Sequence, residues 1–156
     1  MEIYLGLYSM ACFICEQIEK ILKKENPFFV KELETGYVVL GDYQFFKGYA
    51  LFLCKKHVFE LHELECGFKN KFLEEMSLVA EAVYKTFKPK KLNYELLGNL
   101  VPHLHWHLFP RHEDDPLPNL PAYLIEKKIR CAEDAKPNEA EIKEMVDRLR
   151  KALDKL

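Results

Sequence analysis

The chain has 156 residues, a length that suits one domain, and its 49% hydrophobic and 13% aromatic content supplies an ordinary packed interior rather than a disordered coil. Its 23 lysines and arginines stand against 25 aspartates and glutamates, for a net charge of −2 with the signs mixed along the chain. That balance argues against a general nucleic-acid binder, which shows a basic excess or stripe, and no apolar run reaches the roughly eighteen residues of a membrane span.

In chain order, Cys12 to Lys24 reads as a helix, with Ile18, Ile21 and Leu22 at helical spacing and Asn26-Pro27 ending it. Phe28–Leu33 and Tyr37–Leu40 are rich in β-formers, and Thr35-Gly36 between them predicts a hairpin turn. Tyr49–Cys54 is a third strand. Phe68–Lys88 is the clearest helix: Phe72, Met76, Val79, Val83 and Phe87 make one stripe, and Pro89 closes it. Leu92–Leu97 is a strand broken by Gly98. His103–Phe109 follows, with proline only at its ends, and then an irregular stretch through Pro116, Pro118 and Pro121. Asn138 and Glu141 form a capping-box pattern for a last helix over Pro137–Leu156, striped by Ile142, Met145, Leu149 and Leu153. The sum is an α+β fold: an antiparallel sheet of about five strands, with one long helix and a C-terminal helix.

The informative segment is Pro102-His103-Leu104-His105-Trp106-His107-Leu108-Phe109-Pro110. Strand side chains alternate between faces, so His103, His105 and His107 share one face, with roughly 6–7 Å between neighbours, and Leu104, Trp106 and Leu108 share the core face. Three readings follow. Neutral imidazole is a nucleophile for phosphorus near neutral pH, its neighbours orienting it or holding phosphate oxygens. Three imidazoles can converge on zinc. Or the face is an ordinary polar surface. Half of the chain's six histidines in strict alternation, opposite an apolar face, disfavour the third.

The run His103-Leu104-His105-Trp106-His107-Leu108-Phe109 resembles the signature of the histidine triad (HIT) superfamily without departure. Upstream, Gly98-Asn99-Leu100-Val101 is similar to the family's Gly-Gln-Ser/Thr-Val. Gly48-Tyr49-Ala50-Leu51-Phe52-Leu53-Cys54-Lys55-Lys56-His57 is similar to its Gly-His-x-Leu-x-x-Pro-Lys-x-His strand, and Cys12-Phe13-Ile14-Cys15-Glu16 to the start of many bacterial members. The four stretches keep the family's order over roughly residues 10–112. The resemblance implies a single HIT domain over 1–156, with a C-terminal helical extension over 137–156, commonly paired as a homodimer. It also implies a nucleotide hydrolase or transferase working at the α-phosphate through a nucleotidyl-histidine, with small-molecule nucleotides as partners. Dinucleoside polyphosphates and nucleoside phosphoramidates are the leading substrates. Carried over, His105 is the nucleophile, His107 holds the α-phosphate, and His103 orients the strand or binds zinc; the chemistry itself needs no metal.

Three departures bear on the leaving group. Asn99 is about one methylene shorter than the usual glutamine, Leu100 replaces a hydroxyl residue, and Tyr49 replaces a frequent histidine. The family's ribose-binding acid falls by spacing on Gly41, which leaves Asp42 as the candidate. These changes motivate a second reading, a nucleotide-binding or sensor protein with weak or no catalysis. A third is a metalloenzyme with zinc on His103, His105 and His107.

Cys12-x-x-Cys15 alone fits a redox pair, a metal half-site or coincidence. The resemblance implies structural zinc on Cys12, Cys15, His57 and His103, since zinc-containing members use these positions. Five cysteines, behind a start (Met1-Glu2-Ile3-Tyr4-Leu5) unlike a secretory signal, predict reduced thiols in the cytoplasm. Of the remaining polar residues, His62 reads as surface, Glu113-Asp114-Asp115 as a solvated loop and Cys54 as core. Arg111 and His112 are candidates either for phosphate or for solvent, and Lys55 and Lys56 either draw in an anionic substrate or are ordinary exposed lysines.

Overall fold

A computed structural model describes residues 12–156. Met1 to Leu5, read above against a secretory signal, lie outside them. Helix α1 (Phe13–Leu22) starts on Cys12 as its N-cap and is followed by strands β1 (Phe29–Glu32), β2 (Gly36–Leu40) and β3 (Ala50–Cys54). The long helix α2 (Cys66–Phe87) leads into β4 (Lys91–Glu95) and β5 (His105–Arg111), then the short α3 (Lys127–Arg130) and α4 (Glu139–Leu153). The five strands form one antiparallel sheet in the order β1-β2-β3-β5-β4. The expected α+β architecture is present, and α4 begins on the expected capping box, Asn138 and Glu141 each satisfying the other's backbone N–H.

The two faces of the sheet do different work. Val38, Phe52, Leu104 and Leu108 pack with the apolar stripes of α2 and α4 into the main core, where the Phe52 and Phe72 rings stack at 5.0 Å. The alternate residues Tyr37, Val39 and Leu53 face the other way and pack with Ile14 and Ile21 of α1. Antiparallel pairing sets Leu53 opposite His105 and Leu51 opposite His107, so these two histidines stand on the α1 face.

Two expectations about the histidine strand are corrected. It begins at His105 rather than His103, because the chain before it turns: the His103 N–H bonds to Val101 O at 2.8 Å and the Leu104 N–H to Val58 O at 2.8 Å. It also runs through Pro110 to Arg111. The Arg111 carbonyl accepts from Lys90 on the β4 side, so Pro110 turns its missing donor toward β3, whose pairing has already ended opposite Leu108. β4 likewise stops at Glu95, two residues earlier than expected.

The hairpin turn also differs. Gly36 is the first residue of β2 rather than part of the turn, and a Cβ there would lie 2.5 Å from the Phe52 ring. What holds the turn is a residue from α2. Glu75, only 5% exposed, accepts hydrogen bonds from the backbone N–H groups of Glu34 and Thr35, both at 2.9 Å, and from the Thr35 hydroxyl. Replacing it strands three donors in a buried place, which costs more than the bonds themselves contribute. Glu75→Leu is expected to lower unfolding free energy by about 2–4 kcal/mol in a urea titration. A loss under about 0.5 kcal/mol would mean that the turn holds without α2.

Candidate nucleotide pocket and metal centre

His105 and His107 are linked to a third group and to the backbone by one hydrogen-bonded row. His105 Nδ1 lies 2.5 Å from the carbonyl oxygen of His103. A carbonyl only accepts, so Nδ1 carries the proton and Nε2 of the neutral ring carries a lone pair. That Nε2 is 2.9 Å from Nε2 of His107, which therefore donates, and His107 Nδ1 in turn accepts from the Tyr49 hydroxyl at 2.7 Å. Burial disfavours the imidazolium of His105 against the help of its carbonyl partner, and it drives His107 down to about 3, with the neighbouring His105 and Arg130 adding to the effect. Burial likewise raises the Tyr49 phenol, so it stays protonated as the row requires. The Tyr49 ring lies near parallel to both the Phe109 ring at 4.3 Å and the His107 ring at 6.0 Å, which themselves stack at 5.7 Å.

The row lines a cavity of about 430 Å³, within the range of nucleotide-sized ligands. His105 is only 6% exposed, more covered than an open pocket implies, yet it lines the cavity together with His107. Phe13, Ile14, Phe28 and Leu51 supply apolar wall, while Asn99 and Leu100 stand exposed beside it. Gly41 offers no carboxylate and has no room for one, because a Cβ there would run into the Tyr49 ring. Asp42 does line the cavity, at its rim, where partial desolvation by the cavity wall raises its carboxyl against the pull of Lys20.

His103 does not extend the row. Its Nε2–H donates to Cys54 O at 2.8 Å, turning Nδ1 toward Cys12 Sγ and Cys15 Sγ, each at 3.5 Å. His57 Nδ1 is 3.2 Å from Cys15 Sγ, and the four donor atoms all lie within 4.8 Å of one another. A tetrahedral zinc with bonds of about 2.3 Å to sulfur and about 2.0 Å to nitrogen separates such sulfur–nitrogen pairs by roughly 3.6 Å, so the cluster has the right size. The bond from His103 to a backbone carbonyl fixes the tautomer that presents Nδ1 to a metal. Without a cation, burial and the neighbouring Cys12 push the Cys15 thiol up to about 11. Since both ring nitrogens of His103 are committed here, the three triad imidazoles do not converge on one ion.

Other residues fall outside both sites. Arg111, 3% exposed, is no phosphate ligand: it donates to Asp115 at 2.9 Å, to Asn93 at 3.2 Å, to Leu117 O at 2.7 Å and to Leu120 O. His112 sits against Lys47 O at 3.2 Å, Lys55 pairs with Glu32 at 2.6 Å, and Lys56 covers the Phe68 ring at 4.2 Å. His62 is exposed and Cys54 buried, as read; Glu113 is exposed and pairs with Lys90 at 3.0 Å, but Asp115 departs from the expected solvated loop, its covered carboxylate accepting from Arg111 and from the His112 backbone N–H. Sequence reasoning missed Glu95, Tyr123, Lys127, Arg130 and Cys131, which also line the cavity. The only signal for them was the basic run Lys127-Lys128-Ile129-Arg130 beyond the triad.

The sequence profile of the HIT domain matches residues 23–114. A comparison with curated protein sequences gave no match. Among solved structures, a histidine triad protein from Bradyrhizobium japonicum superposes with a TM-score of 0.71 at 22% identity, covering 85% of this chain and 94% of that one. A hypothetical histidine triad nucleotide-binding protein from Sulfolobus tokodaii gives 0.69 at 21% identity, covering 93% of each chain. A Zn-bound histidine triad family protein from Mycobacterium smegmatis gives 0.64 at 20% identity, covering 94% of this chain and 95% of that one. With 92 of 156 residues inside the matched profile and the same fold in these structures, the chain belongs to the histidine triad (HIT) family.

Proposed function

We propose that this protein hydrolyses nucleoside phosphate derivatives at the α-phosphorus through a nucleotidyl intermediate on His105. The observation that carries the reading is the tautomer of His105: its proton is held on Nδ1 by the His103 carbonyl, and the lone pair on Nε2 belongs to a ring lining a nucleotide-sized cavity. In the ligand-free row that lone pair accepts from His107. An incoming phosphate oxygen is a better acceptor for the same N–H, so substrate binding would draw His107 onto the phosphate and release the nucleophile in one motion. Asn99 would add an amide at the phosphate, and Asp42 a carboxylate at the ribose.

Zinc held by Cys12, Cys15, His57 and His103 would tie the start of α1 to the strand ends, and it supplies no step of the reaction. The four donors fit it in type and spacing. Cysteines free of disulfides fit a reducing cytoplasm. A homodimer would use the β4 edge, where Tyr94 is exposed. A second reading, nucleotide binding without turnover, is favoured by Leu100, 86% exposed at the cavity where a hydroxyl would help the leaving group.

Mass spectrometry after brief exposure to a dinucleoside polyphosphate or a nucleoside phosphoramidate is expected to find a nucleotidyl group on His105. His105→Ala should carry no adduct and no turnover; activity surviving in that variant would sink the mechanism. Metal analysis is expected to give about one zinc per chain in both the wild type and His105→Ala, and loss of zinc in Cys12→Ser. Zinc lost with His105 would instead support a triad metal. The His107 ring, neutral in the fold down to about 3, takes up a proton on unfolding below its ordinary value of 6.5. Stability therefore falls as pH drops from 6.5 toward 3, by up to about 1.4 kcal/mol per pH unit from this one group. His107→Gln is expected to flatten that slope in thermal melts across the window, and an unchanged slope would place the ring in solvent.

A further inference from the structure

We infer that Lys127 and Arg130 form a binding site for an anionic leaving group, so that the cavity takes nucleoside polyphosphate derivatives in preference to phosphoramidates. The inference rests on the α-phosphate reading above and narrows its substrate class. Both cations lie outside the matched domain, on α3, and both line the cavity. The Arg130 side chain is half-buried and aimed by its own Nε–H, which donates to Ile125 O at 2.8 Å. Among the described residues neither Arg130 nor Lys127 has a carboxylate partner, while Lys128 between them, which does not line the cavity, pairs with Glu126 at 2.7 Å. The Arg130 charge is felt at His107, Tyr49 and Glu95, which puts it near the His107–Tyr49 end of the row. Glu95, a cavity-lining carboxyl opposite His107, has its pKa raised by burial, with the Arg130 and Arg111 charges opposing. Two cations without an ion-pair partner among the described residues, Arg130 near the group that would hold the α-phosphate and Lys127 lining the same cavity, are suited to the next phosphates along the chain.

The chemistry of the leaving group points the same way. Forming the bond from His105 Nε2 to the α-phosphorus breaks the bond from phosphorus to the bridging atom, whose electron pair leaves with it. An amine must gain a proton as it departs. Leu100 offers none, the His107 N–H is the one that turns to the phosphate in the reading above, and the Tyr49 hydroxyl is engaged on His107 Nδ1 at 2.7 Å. A bridging oxygen departs as part of a phosphate anion and needs only positive charge. Water then attacks the α-phosphorus, the nitrogen–phosphorus bond breaks, His105 recovers its lone pair, and one proton passes to solvent with the nucleoside monophosphate.

The test is calorimetric binding of AMP and ATP to the full chain, with kcat/KM for diadenosine tetraphosphate and for adenosine phosphoramidate. Wild type is expected to bind ATP at least about tenfold more tightly than AMP. The double variant Lys127→Gln/Arg130→Gln should bind AMP within about twofold of wild type, lose the ATP advantage, and lose about tenfold in the ratio of the two kcat/KM values. Arg130→Lys, which keeps the charge, should retain most of both. AMP bound as tightly as ATP by wild type, or AMP and ATP weakened equally in the double variant, would overturn this inference while leaving the α-phosphate reading intact. Failure of wild type to bind either nucleotide would overturn both.

Discussion

A backbone carbonyl has no proton to give, and the oxygen of His103 uses that asymmetry to order the ring two residues on. Because it can only accept, His105 is fixed as one tautomer, and each neighbour outward to Tyr49 has its donor and acceptor assigned in turn. The same residue faces the opposite way through its side chain, giving Nε2–H to Cys54 O and leaving Nδ1 to the cysteines. One turn of chain before β5 thus serves two sites, and each needs that turn to be held still. The β3–β5 register holds it from one side and the Leu104–Val58 bond from the other.

The sheet separates structural from chemical work with little overlap. Its α2/α4 face is apolar, aliphatic and aromatic side chains together, and includes Trp106, whose buried Nε1 has no partner among the described residues. Its other face is closed by α1 only at the β1–β3 end, which leaves the β5 side of that face open as the cavity. Burial on the open side is still enough to keep the imidazoles neutral, which is the state a nitrogen nucleophile requires. The cavity is therefore walled mainly by apolar side chains around the imidazoles, with carboxylates from Asp42 and Glu95 and cations from α3.

Much of this was legible because it follows from period and chemistry. Alternation put His105 and His107 on one face, the Phe72–Phe87 stripe gave α2, and Asn138 with Glu141 gave the start of α4. What escaped was decided by contacts distant in sequence. Nothing near Glu75 announces that it will meet the Thr35 turn, and nothing near Gly41 shows that the Tyr49 ring fills the place of a side chain. Alternation also overreached at His103, because turn hydrogen bonds outweigh strand pattern where no partner strand remains. The segment 122–131 looked irregular, and its value as cavity wall depends wholly on where it is folded back.

That folding back is governed by Arg111. Its guanidinium is saturated by Asp115, Asn93 and the Leu117 and Leu120 carbonyls, so the stretch after the triad strand is moored at its root. The residues beyond the mooring can drift in sequence while the imidazole row stays untouched. The wall of the cavity and the imidazole row are thus anchored independently, so a change downstream of the mooring reshapes one without disturbing the other.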